Sequence, residues 1–195
     1  MHIADGILNT PVTLAADAVC LGALYLLGRK ADTSQVPKMG LMAAALFVSS
    51  LIHFPLAGTS VHLGLYGLAG VLLGPGAFPM VFLALLFQAL IFQHGGLLSI
   101  GLNTLNMGTG ALSAWLLWKV LPAPAVFRAF AAGFIGIAVP AVLMAVEFEL
   151  SGYGRGIYVL LSVYLIPAVI EGLLTSSVVA FFLRVRSPII EGGKR

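Results

Sequence analysis

The sequence predicts an all-α, polytopic membrane protein of about seven transmembrane helices. Three observations predict it. Hydrophobic residues make up 60% of the 195-residue chain and charged residues only 9%, where an ordinary soluble domain carries roughly 25% charged residues. Apolar runs near the ~20 residues that cross a bilayer recur along the whole length. Glycine occurs 23 times, which fits helices that pack backbone to backbone in lipid.

The segments follow in order. The first runs from Pro11 to Gly28 and stops at Arg29-Lys30, and the second from Met39 to Ile52. The third is short, Leu63 to Leu73, and ends at Gly74-Pro75-Gly76. The fourth spans Pro79 to Phe92, the fifth Asn103 to Val120, the sixth Phe127 to Val146 and the seventh Ile157 to Leu183. Several fall below the ~20 residues of a clean span. Short segments imply loops that dip into the protein, where non-helical backbone survives only if protein or water satisfies it. The two loops of that kind are His53 to Gly64 and His94 to Asn103. The chain reads as one domain, residues 1–195, without repeats.

Orientation follows from the basic residues, which mark the cytoplasmic side. With the N-terminus outside, Arg29, Lys30, Lys38, Lys119, Arg128, Arg184, Arg186, Lys194 and Arg195 fall inside, and only Arg155 falls outside. The C-terminus is then cytoplasmic. All four histidines, His2, His53, His62 and His94, gather on the outer face. No basic residue precedes Arg29, so the N-terminus lacks the n-region of a signal peptide and reads as part of the working protein.

Several chemistries are excluded. Cys20 is the single cysteine, so there is no disulfide framework and no CxxC metal motif. No basic stripe with interleaved aromatics occurs, which argues against nucleic acid as a partner. There is no GxxxxGK[ST] phosphate loop, no GxSxG and no HExxH. Uphill transport would need energy from elsewhere.

The candidate ligands begin at Met1-His2. A free N-terminal amine, the His2 amide nitrogen and His2 Nδ1 can close a five- and a six-membered chelate ring on one ion. The three nitrogens then lie nearly in a plane and leave a fourth corner open. Tetragonal nitrogen sites suit Ni(II) and Cu(II). Most histidines at position 2 do nothing of the sort. The outer loop raises the case, because His62 stands where that loop re-enters the third helix and can fill the open corner. His94, before Gly95-Gly96, is either a residue on the way in or a plain loop histidine. His53 reads as an interfacial or capping residue. Asn103 and Asn106 share one face of the fifth helix. They read as an N-cap plus an interhelical hydrogen bond, or as groups that orient the metal-binding segment. Ser60 and Asp5 are further candidates for that orienting role. Asp17 and Glu171 are ionisable residues inside apolar segments, which makes them functional candidates. Glu171 is expected to pack against Thr175 or Tyr164.

Four motifs resemble one family. The opening Met1-His2-Ile3-x-Asp5-Gly6, the loop Pro55-Leu56-Ala57-Gly58-Thr59-Ser60-Val61-His62-Leu63, the stretch from Gln88 through His94-Gly95-Gly96 to Asn103-Thr104-Leu105-Asn106-Met107, and Glu171-Gly172-Leu173-Leu174-Thr175 occur in order across nearly the whole chain. Together they resemble the CbiM/NikM family, the substrate-binding membrane (S) components of energy-coupling factor transporters for cobalt and nickel. The resemblance implies metal ligation by Met1, His2 and His62, and a seven-helix S component with its N-terminus outside. It implies Ni2+ or Co2+ as the transported substrate, with ATP acting only through partner subunits. Those partners are a transmembrane coupling (T) subunit and cytoplasmic ATPases, with a small accessory membrane subunit as a further candidate, and the chain itself is expected in the cytoplasmic membrane of a prokaryote. One departure stands out: the family often carries a histidine shortly before the last motif, where this chain reads Tyr164-Leu165-Ile166-Pro167-Ala168.

Two other readings use the same residues. An intramembrane enzyme would need a nucleophile paired to a base, and Ser60 with His62 lacks a third orienting group. A binding-only metal sensor differs from a transporter mainly in its partners.

Overall fold

The computed structural model describes residues 2–29, 32–56, 59–152, 157–185 and 190. Among the described residues, seven α-helices lie where the apolar segments predict helix: α1 (Thr10–Gly28), α2 (Val36–Leu51), α3 (Tyr66–Leu73), α4 (Ala77–Phe92), α5 (Ile100–Val120), α6 (Ala125–Leu150) and α7 (Ile157–Arg184). Local chemistry sets the boundaries. Asn9 caps α1, its side chain accepting from Val12 N at 3.1 Å, and Pro11 sits in the first turn, where a missing N–H costs nothing. Leu65, at φ 53°, turns the chain into α3. Gly74, at φ 58°, ends it, and Lys38 Nζ donates to the Leu72 carbonyl at 2.6 Å, satisfying one of the last free acceptors of α3.

Among the described residues, four helical stretches are long and apolar enough to cross a membrane by themselves: Thr10–Gly28, Tyr66–Phe92, Ala125–Leu150 and Ile157–Arg184. The second joins α3 and α4 through the turn at Gly74–Gly76. α2, with 16 residues, is below the ~20-residue span, and α5 carries Asn103, Thr104, Asn106 and Thr109 among its apolar residues. Large side chains such as Leu41, Val19 and Leu21 are well exposed on the helix surfaces. A water-soluble surface does not spread that much apolar side chain; in a bilayer it meets lipid.

One element departs from the all-helical expectation. The loop after α2 forms an antiparallel hairpin of β1 (His53–Leu56) and β2 (Thr59–His62), pairing His53 with His62, Phe54 with Val61, Pro55 with Ser60 and Leu56 with Thr59. Backbone at this depth must pair with something, and a two-stranded ladder lets the loop satisfy part of itself. Ala57 and Gly58, between the strands, lie outside the described residues.

α3 is the keystone of the packing. Its Gly67 backbone touches Ala132 and Gly133 of α6, and a Cβ on Gly136 would lie 2.5 Å from Gly67 N. Only glycine permits that approach, and it seats the short helix between α5 and α6 without large side chains. The start of α3 therefore has a fixed address, and the hairpin that leads into it inherits that address.

Candidate metal centre

The N-terminal segment enters the bundle and is gripped there. Ile3 is fully buried. Its N–H donates to Asn103 Oδ1 at 2.8 Å, and its carbonyl accepts from Asn103 Nδ2 at 2.9 Å. Asp5 accepts from Ser99 N at 2.9 Å and Leu98 N at 3.3 Å, the two residues that lead into α5. Asp17, from α1, reaches the first turn itself: its Oδ1 accepts from Gly101 N at 2.8 Å, where free N–H groups and the helix dipole favour negative charge. The helix starts at Ile100 with Ser99 as its N-cap, so Asn103 is not the N-cap that the sequence suggests.

The Gly95-Gly96 pair makes room for the segment. Gly95 has φ +81°, and a Cβ there would sit 3.3 Å from His2 Nδ1. A Cβ on Gly96 would drive into the Asp5 carboxylate. The N-terminal segment lies directly on this backbone, which places His2 beside His94.

His62 comes to the same point from the hairpin. It is buried, at 5% exposure, and its Nδ1 lies 3.1 Å from the Leu63 carbonyl. Donation from Nδ1–H to that carbonyl fixes the orientation of the ring. The next two backbone amides are fixed in turn: Gly64 N and Leu65 N donate to Glu171 Oε1 at 2.5 and 2.8 Å. Glu171 is fully buried in α7. The bonds it forms, to the backbone just beyond His62, are ones the sequence did not suggest.

Three histidines from three separate elements thus converge. Ligand nitrogens of His2, His62 and His94 all lie within 4.8 Å of one another. The His2 and His62 rings stack at 4.9 Å between centroids, and the His94 ring stands edge-on to His2 at 4.4 Å and lies 5.8 Å from His62. The Nε2 atoms of His2 and His94 are buried without a hydrogen-bond partner. Burial lowers the His2 pKa well below the ordinary imidazole value, helped by the adjacent positive chain end and by His62 and His94. Burial does the same for His62 and, less strongly, for His94. The neutral rings keep lone pairs at pH 7, as metal ligation requires.

The remaining candidates divide. Met1 lies outside the described residues. Ser60 is on β2 opposite Pro55, and its side chain is likewise outside them. Asn106 does not join the N-terminal segment; its Nδ2 donates to Glu147 Oε2 at 2.7 Å, tying α5 to α6. Glu147 escaped the sequence reading because an acid near a helix end looks like an ordinary surface charge. His53 makes the helix-end contact expected of it, Nδ1 to the Leu51 carbonyl at 3.1 Å, but its ring also lies 6.0 Å from that of His94.

The chain is similar to several known proteins. The family described as the cobalt uptake substrate-specific transmembrane region, CbiM, matches residues 2–189. A putative metal transport protein of Haemophilus influenzae is 38% identical over 119 residues, covering 61% of this chain and 58% of that protein. A putative fused nickel transport protein, NikMN, of Archaeoglobus fulgidus is 32% identical over 204 residues, covering 98% of this chain and 68% of that one. The chain thus spans about three fifths to two thirds of the length of these relatives. A solved structure of a transition metal transporter shares the fold with a TM-score of 0.83 at 24% identity, covering 98% of this chain and 97% of that one.

Proposed function

This chain belongs to the family of cobalt uptake substrate-specific transmembrane regions, and on that premise we propose that it is the S component of an ATP-driven energy-coupling factor importer for nickel or cobalt. The observation that carries the proposal is the convergence of His2, His62 and His94, with ligand nitrogens within 4.8 Å of one another. Water-soluble cores bury histidines too, but these three neutral rings bring ring nitrogens from three stretches of chain around one point, as the ligands of a single cation must be.

In this reading the ion is held by the Met1 amine, the His2 amide and Nδ1, and His62 Nε2. His94 stands close enough to approach the ion from outside that plane. Four planar nitrogens lean towards Ni(II); the family description names cobalt. Asn103, Asp5 and the Gly95-Gly96 backbone hold the N-terminal segment, and Glu171 holds the turn behind His62. Such outer contacts orient ligands and raise affinity.

In this reading the seven helices lie in the cytoplasmic membrane, with α3 entering it only part of the way and the histidines at the outer surface. Two pairs at the opposite end support that orientation: Lys119 lies 4.5 Å over the Trp115 ring and Arg128 lies 4.3 Å over Trp118. Trp with Lys or Arg is the usual furniture of a cytoplasmic interface. ATP is hydrolysed by partner ATPases, reached through a coupling subunit. The Archaeoglobus relative is a fused protein that extends beyond the matched region, as expected of a component that works beside others.

The test is titration of the purified full chain with Ni2+ and with Co2+, followed by elemental analysis. One equivalent of either ion should bind tightly. His62→Ala should weaken that binding by at least about 100-fold, ~2.7 kcal/mol. A wild-type chain that retains neither ion contradicts the reading.

A further inference from the structure

The hairpin carries a second histidine towards the centre that the ligand set does not use. His53 and His62 are directly opposite in the antiparallel ladder, and opposite residues of such a pair project from the same face. His62 is buried while His53 is exposed. Between the exposed ring and the centre stands His94, half-buried like His2, 6.0 Å from His53 and 4.4 Å from His2 by ring centroids. An imidazole carries nitrogens on two sides of its ring, so His94 can face outward and inward.

We propose that His53 and His94 form a staging site that takes a divalent transition-metal ion from water and passes it to the buried centre. This rests on the metal-importing function proposed above. Moving a dication from water into a buried pocket in one step strips its hydration before its ligands are in place, and an uncompensated buried charge is costly. Replacing waters by imidazole nitrogens in succession keeps the ion liganded throughout. His53 is poised for this: with Nδ1–H donating to the Leu51 carbonyl at 3.1 Å, its Nε2 lone pair is available. Two imidazoles at 6.0 Å between centroids can share an ion held ~2 Å from each nitrogen. His94 Nε2, buried without a partner, is the natural point of transfer to His2.

A staging residue leaves no contact in the final complex. It therefore changes the barrier and not the end states, so association and release slow by one common factor. The test is His53→Asn in the full chain, with Ni2+ as the probe. Asparagine keeps a donor for the Leu51 carbonyl but offers the ion no imidazole. Stopped-flow mixing gives the association rate, and a chelator chase gives the release rate. Both should fall about tenfold, within the range over which association varies among variants of one site, while equilibrium affinity stays at the wild-type value. An unchanged association rate overturns the proposal. So does weakened affinity with faster release, which makes His53 a ligand of the final centre. Failure of the wild-type chain to bind Ni2+ or Co2+ is a separate result and falls on the functional reading itself.

Discussion

Asn103 holds the backbone of Ile3 at both of its polar atoms, accepting from the N–H at 2.8 Å and donating to the carbonyl at 2.9 Å. The pairing mimics one rung of a β-ladder, made by a helix side chain. It fixes the segment one residue beyond His2, so the imidazole cannot drift from the centre without breaking two buried hydrogen bonds.

Asn103→Ala should therefore weaken Ni2+ binding by about 10–100-fold, the usual effect of losing an outer contact to a metal site. The Ile3 N–H and carbonyl are left unpaired, each costing ~1–3 kcal/mol if no water reaches it. Asn103→Asp keeps the acceptor and loses the donor, so it should fall between wild type and Ala. Calorimetric titration of the three proteins checks the order; equal affinities would detach Asn103 from the site.

An N-terminal extension that stays attached should abolish tight binding while the protein folds normally. The Met1 amine becomes an amide and leaves the coordination plane. Titration of an extended protein, before and after proteolytic removal of the added residues, measures this directly. Full affinity in the uncleaved form would mean that three imidazoles suffice, with His94 in the place assigned to the amine.

Glu171→Ala should destabilise the protein and weaken metal binding together. Gly64 N and Leu65 N lose their acceptor, at ~1–3 kcal/mol for each buried unpaired group, and the turn that carries His62 is released. Glu171→Gln retains an oxygen in the same place and should recover most of both properties. Thermal unfolding and metal titration on the two variants separate a positioning role from a merely structural one: a stable Ala variant with native affinity would refute it.

If the proposed coupling subunit docks on α1, it meets the helix's outer face. Ala15, Ala18 and Gly22 are exposed, and a Cβ on Gly22 would meet nothing within 4 Å, so this face does not pack inside the described bundle. Small residues let a partner helix approach closely in lipid. Ala18→Leu and Gly22→Leu should reduce co-purification with the coupling subunit several-fold and leave metal affinity unchanged. Undiminished co-purification in both would move the docking surface to another helix.

Much of this protein is determined by local sequence. Apolar length and Gly-Pro punctuation determined the seven helices to within a few residues, because burial in lipid and chain turning are local demands. The run of short helices also puts His2, His53, His62 and His94 at one end, since each segment reverses the chain. Tertiary structure alone decided the rest. Hairpin register set His53 opposite His62, and a shift of one residue would have turned them to opposite faces. Asp17 reached the first turn of α5 from α1, and the helix began at Ile100, ahead of Asn103. The partners of Asn103 and Glu171 lie about 100 residues away in sequence, and no periodicity encodes such a distance. Which helix ends meet depends on glycine seats such as Gly67 on Gly133, and that close packing brought His94 within ligand reach of His2 and His62.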